Sequence, residues 1–176
     1  MSNKNTLNEN KKFYSLSQIL LHWLIALLVF YQLVTSDYMQ ENYQTFLNTG
    51  DWPHYFSYKT KIHIAIWIFL LFGMLIRIYL RFKTKVPKLP PDISTLLTVI
   101  AKSSHFFLYF LLFLMPISSI AGWFWKLTFL ITVHILSYEI LLALILFHIC
   151  AVMFHEGILG NKIIHRMLQY KETSKR

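Results

Sequence analysis

The sequence predicts an all-α integral membrane protein, a four-helix transmembrane bundle with both termini on the cytoplasmic side. Three observations lead there. Of 176 residues, 56% are hydrophobic and only 14% charged, whereas soluble domains carry about 25% charged residues. The apolar residues gather into four runs, each long enough to cross a bilayer core of about 30 Å. The Lys and Arg residues, 17 against 8 Asp and Glu, are concentrated in the termini and one connector. That is the mark of membrane topology rather than of a nucleic-acid-binding face.

Residues 1–15 are rich in Asn and Lys, with Lys4, Lys11 and Lys12, and form a short cytoplasmic head. Helix one is expected from about Ser17 to Val34, with His22 in its first turns. It has no small-residue cleavage site and is a retained helix rather than a removed signal. Residues 35–57 are polar, with Asp37, Glu41 and Asp51 and neither Lys nor Arg. Gly50-Asp51-Trp52-Pro53 is a turn. Trp52, Tyr55, Phe56 and Tyr58 suit an interfacial aromatic belt.

Helix two is expected from about Tyr58 to Phe82, with His63 near its start and Arg77 and Arg81 near its end. A basic connector stiffened by Pro87, Pro90 and Pro91 follows. Asp92 or Ser94 caps helix three. Helix three runs from about Ser94 to Ala121, with His105 early and Pro116 late, where a kink is expected. Gly122-Trp-Phe-Trp-Lys126 is a short aromatic turn into helix four, residues 127–156. These elements make residues 16–157 the transmembrane domain. Residues 158–176 are a basic tail in which Ile163, Ile164, Met167 and Leu168 suit a short interfacial helix. The head, the 77–102 segment and the tail hold most of the Lys and Arg, and the two remaining connectors hold only Lys59, Lys61 and Lys126. By the positive-inside rule both termini are cytoplasmic.

Helix four carries His134, His148 and His155. His134 and His148, 14 residues apart, fall within about 40° of one helical face and about 21 Å apart along the axis. Intramembrane ionisable residues are costly and suggest function. The topology sets His22 and His148 near the cytoplasmic edge and His63 and His134 near the outer edge. Two pairs at two depths, with helix four supplying one member of each, are what two stacked bis-imidazole haems require. A single transmembrane histidine is more often a helix–helix hydrogen bond. Zinc or copper would draw its ligands together at one depth. The lone Cys150 excludes an intramolecular disulfide, and no CxxCH motif offers covalent haem attachment.

The ordered set of residues resembles the bacterial cytochrome b561 family. Tyr14-Ser-Leu-Ser-Gln18-Ile-Leu-Leu-His22-Trp23 is similar to the family's Q-x-x-x-H-W opening of helix one. His63 with Arg77-Ile-Tyr-Leu-Arg81, the stretch from His105 to Pro116, and His134, His148 and His155 continue the likeness, over about Tyr14 to Leu168. The turn before helix four is shorter than the family's outer loop, and Glu156-Gly157-Ile-Leu-Gly160 replaces its basic-acidic motif. The resemblance implies a multi-pass protein of the bacterial inner membrane with two haem b groups, His22 and His148 ligating the inner iron and His63 and His134 the outer. It implies electron transfer between the haems and the quinone pool, with ubiquinone as acceptor and superoxide as one outer-side donor.

Other residues follow from that frame. Arg77 and Arg81 are candidates to hold the inner haem's propionates, or are snorkelling anchors. His105 is a candidate for a propionate, haem-edge or quinone contact, or a structural helix contact. His155 lies about 10 Å beyond His148 and is a quinone-pocket candidate able to donate a proton. Lys59 and Lys61 would serve the outer haem or attract an anionic donor. His54 and His165 are loop and tail residues, and Cys150 is small apolar filling. No catalytic residue is assigned. A second reading is a cytochrome b anchor subunit carrying electrons from a dehydrogenase or hydrogenase partner to quinone. A third is a non-haem membrane scaffold or small transporter, for which Glu139 is the only acid well inside a span. No nucleotide or flavin motif is present, so NADH is not a direct donor.

Overall fold

The structure, a computed structural model, describes residues 14–84, 87, 93–161 and 163–168, without the side chains of residues 37 and 38. The head, most of the Pro-rich connector with Asp92, and the end of the tail lie outside the described residues. Six helices are described: α1 Leu16–Val34, α2 Asp37–Thr49, α3 Tyr58–Thr84, α4 Thr95–Trp125, α5 Thr128–Gly157 and α6 Ile163–Leu168. Four of them, α1, α3, α4 and α5, are long and apolar enough to cross a membrane. The expected all-α four-span architecture is what forms. The four spans run up and down, so the bundle has a terminal end, where α1 starts and α5 finishes, and a turn end opposite.

Local chemistry sets the helix starts. Ser15 caps α1 in a reciprocal capping box with Gln18. The Ser57 hydroxyl accepts from Thr60 N at 3.2 Å as α3 begins, and Ser94 Oγ accepts from Leu97 N at 3.4 Å as α4 begins. Pro116 lies inside α4, which continues through the Gly122 aromatic segment to Trp125. The expected five-residue turn is therefore only Lys126 and Leu127. Lys126 sits in the left-handed region, φ 52°, and closes the helix with its N–H on Gly122 and Trp123 carbonyls. Gly122 permits this close approach, because a Cβ there would lie 2.8 Å from Ile131 Cγ1.

The polar stretch after α1 is not simply a connector. It forms α2, ended by Gly50 at φ 73°. Phe46 of α2 is buried and stacks on Trp52 at 4.4 Å, which stacks in turn on Trp123 at 4.7 Å. Phe56 leans on the same Trp123. Asp51 and Lys126 pair across this cluster, and the Lys126 ammonium holds the Asp51 carboxyl below the usual carboxylate range. Of the expected belt, Tyr55 and Tyr58 are exposed, whereas Trp52 and Phe56 pack inward.

The helices pack as a row: α5 along α4, α4 along α3, α3 along α1. Close backbone packing of α5 against α1 or α3 is at most sparse. The shared interior holds Leu70, Met74 and Leu141, all fully buried. Outward faces carry Phe30, Phe69 and Phe129, as a lipid-facing surface does.

Candidate di-histidine site

At the terminal end, α1 brings His22, α3 Arg77, α4 His105 and α5 His148 into one layer. Arg77 Nη2 lies 3.1 Å from His22 Nδ1, and Arg77 Nε donates to Tyr109 Oη at 3.1 Å. A guanidinium only donates, so His22 Nδ1 accepts here and the ring proton lies on Nε2; ligating a metal through Nε2 would need Arg77 to leave Nδ1 and the proton to move there. The His105 and His148 rings meet edge to face, 5.0 Å between centroids. His105 Nδ1 donates to the Ala101 carbonyl at 2.7 Å, and Arg81 lies over the Tyr109 ring at 5.9 Å. His148 and His105 are both within electrostatic reach of His22.

A small open cleft, with a cavity volume of about 50 Å³, lies in this layer, lined by Tyr14, Gln18, Arg77, Arg81, His105 and Met167 among others. Two arginines and no acid give it a positive character. Tyr14, before α1, has its phenol pushed above the ordinary value by burial, with Arg77 and Arg81 opposing, so it stays a neutral donor.

Helix α6 closes the same end. Trp23 Nε1 donates to Met167 O at 3.0 Å. Glu156 accepts from Ile164 N at 2.9 Å and pairs with His165 at 3.2 Å. His155 is buried, and its Nδ1 lies 3.1 Å from Asn161 Nδ2. It sits under the α5–α6 turn and is not among the cleft's lining residues.

Toward the turn end, His63 of α3 is buried and His134 of α5 is half-buried, each within electrostatic reach of the other. His134 Nδ1 donates to the Met115 carbonyl at 2.8 Å. A carbonyl only accepts, so this bond fixes the tautomer and leaves Nε2 with its lone pair. Gln32 of α1 donates from Nε2 to the His63 carbonyl at 2.7 Å. Three buried side-chain polar atoms have no hydrogen-bond partner among the described residues: His63 Nδ1, Gln32 Oε1 and Trp67 Nε1. Native interiors rarely leave such atoms unmet. One ring nitrogen, one acceptor and one donor on His63, Gln32 and Trp67 thus mark a layer whose polar groups are incompletely paired.

The structure thus gathers the expected four histidines into two layers, with α5 contributing one to each. His105 and Arg77 join the terminal-end layer, and Arg81 stands at its exposed edge. Lys59 and Lys61 are exposed at the start of α3, and His54 is exposed in the loop before it. Cys150, expected as small filling, is exposed on the outward side of α5, because that helix buries only a narrow stripe. Glu139 is exposed as well. Gln32, Trp67, Tyr14 and Tyr109 were not signalled by spacing. Polar atoms at the end of an apolar run are the trace that Gln32 leaves in the sequence. Among the described residues no three His, Cys, Asp or Glu side chains gather as a metal-ion cluster.

Comparison with known proteins bears on the same residues. A family model described as prokaryotic cytochrome b561 matches residues 14–170. A protein named cytochrome b562 from Cereibacter sphaeroides is 26% identical over 162 residues, covering 89% of this chain and 95% of its own length. No solved structure matches.

Proposed function

The chain belongs to the prokaryotic cytochrome b561 family, and on that premise we propose that it is a di-haem membrane cytochrome passing electrons from an outer-side donor to the quinone pool. Family membership makes it a multi-pass membrane cytochrome of haem b electron transfer. The two-haem count, the ligands, the orientation and the redox partners are our reading.

The observation that carries it is the division of four imidazoles between two layers, one from α5 in each. His22 and His148 hold one haem, and His63 and His134 the other. The sparse packing between α5 and both α1 and α3 supports insertion of a flat macrocycle there. When bound, the haems supply two one-electron stations. The chain's residues do the rest. The His134–Met115 bond orients its ring. Arg77, Arg81 and the Tyr109 hydroxyl offer cations and a donor to propionates at the terminal end. The interior side chains exclude water between the layers.

We assign the terminal end to the cytoplasmic side of the inner membrane, a reading that the basic residues flanking it support. Ubiquinone is the acceptor we assign there, requiring two electrons and two protons. His105 borders the cleft, and His155, the proton-donor candidate, sits under the α5–α6 turn outside its lining. Superoxide suits the donor side, each anion losing one electron to become dioxygen, with Lys59 and Lys61 attracting it.

The test is a reduced-minus-oxidised spectrum with haem quantitation on the detergent-purified chain. Two low-spin b haems per chain are expected. His148→Ala and His134→Ala should each keep about half the haem. Two haems retained in either variant, or none in the wild type, would refute the assignment.

The two-residue turn between α4 and α5 favours a second reading, an anchor subunit for a dehydrogenase or hydrogenase, because it offers little surface to a soluble donor. Copurification of a partner supports that reading. Superoxide-driven quinone reduction by the isolated chain counts against it.

A further inference from the structure

We propose that Gln32 is the positioning residue for His63, its side-chain oxygen accepting a hydrogen bond from His63 Nδ1–H and setting the redox balance of the turn-end haem. The proposal rests on His63 as an axial ligand. Gln32 is 3% exposed and His63 8%. They are already joined, Gln32 Nε2 donating to the His63 carbonyl at 2.7 Å. Because that carbonyl can only accept, the amide cannot be turned the other way, and Oε1 must be its unsatisfied side. His63 Nδ1 is unsatisfied in the same layer.

An imidazole that gives its Nε2 lone pair to iron carries its proton on Nδ1, and that N–H needs an acceptor. His134 has the complete arrangement, with Nδ1–H on the Met115 carbonyl at 2.8 Å. Among buried side chains of the described residues, the one acceptor left unsatisfied for His63 is Gln32 Oε1. Trp67 Nε1 is a donor and cannot serve Nδ1–H. An amide oxygen has two lone pairs, so it can accept from both. The arginines lie at the other end of α3, and the nearer cations, Lys59 and Lys61, are exposed at its start.

The bond pushes electron density onto the ring and favours ferric over ferrous iron. Gln32→Met removes the acceptor at similar size. Redox titration of the purified haem-loaded chain should then show one potential raised, the reduction equilibrium shifting about tenfold toward ferrous, or about 59 mV for one electron, with the other unchanged. Gln32→Glu keeps an acceptor at the same reach and should hold that potential at or below wild type. Trp67→Phe deletes a buried dipole but no acceptor and should not reproduce the rise. The His148→Ala background, keeping only the turn-end haem, identifies which potential moved.

Two haems with both potentials unchanged in Gln32→Met would overturn the proposal, as would an equal rise in Gln32→Glu or Trp67→Phe. Should Gln32→Met fail to accumulate, the Gln32→Glu potential decides, a rise sinking the idea. His63→Ala retaining both haems would instead remove the ligand reading on which this rests.

Discussion

Thr60 is fully buried at the start of α3, and its hydroxyl is a junction. It accepts from Asn42 Nδ2 at 2.9 Å and shares a proton with Ser57 Oγ at 3.1 Å. This one oxygen ties α2 to the helix that carries His63 three residues on. Thr60→Val keeps the shape and strands the Asn42 amide, at a cost of about 1–3 kcal/mol. Thr60→Ser, which keeps the oxygen, should recover most of it, as read by thermal unfolding in detergent. Such junctions were not legible in the sequence. Histidines in an apolar run announce themselves, because each is an expensive group at a computable depth. Thr60 and Gln32 are ordinary residues at span ends, and only the chain brought back beside them gives them partners.

The spans were legible because length and hydropathy dictate them, but their ends were not. Gly122-Trp-Phe-Trp resembles a turn, yet it is helical because Gly122 lets α5 pack directly on it. A Cβ there would meet Ile131 Cγ1 at 2.8 Å and the Ile131 backbone N at 3.2 Å. Gly122→Ala should therefore destabilise the chain by about 1–3 kcal/mol. Adding Ile131→Ala removes the side-chain clash but not the backbone contact. The double variant should be less destabilised than the two single costs added, a coupling that a double-mutant cycle measures. The α2 helix was hidden for a related reason: its stacked Phe46, Trp52 and Trp123 meet only once the bundle forms. The Asp51–Lys126 pair clips that stack across the turn end. Its carboxyl is held below the usual range, so its contribution is present at neutral pH and is lost as pH falls through the depressed value. Near-ultraviolet dichroism of the tryptophan pair should weaken in that acid window, and Asp51→Asn should abolish the pH dependence. Because both side chains are exposed, high salt should weaken the clip as well.

Across the whole molecule, the two histidine layers differ in the charge around them, which bears on the direction of electron flow. At the turn end the His134 ring faces a carbonyl acceptor, and the bond proposed above gives His63 the Gln32 oxygen as its acceptor. Acceptors increase ligand basicity and favour ferric iron. At the terminal end Arg77 lies 3.1 Å from His22, with Arg81 over the adjoining tyrosine. Cations close to an axial imidazole oppose the extra positive charge of ferric iron and favour the reduced state. On the proposed di-haem reading both effects have one sign, and water screens the exposed Lys59 and Lys61 at the turn end, so the terminal-end haem should have the higher midpoint potential, with electrons running downhill from the turn end to the terminal cleft. His134→Ala, retaining the terminal-end haem, should titrate above His148→Ala, retaining the other. Arg77→Gln should lower only the former. The reverse order would mean that burial or bound propionates outweigh the arginines, and would take away the physical reason for placing the acceptor at the terminal cleft. A higher potential there, abolished by Arg77→Gln, would make one guanidinium the main source of the driving force between the two layers.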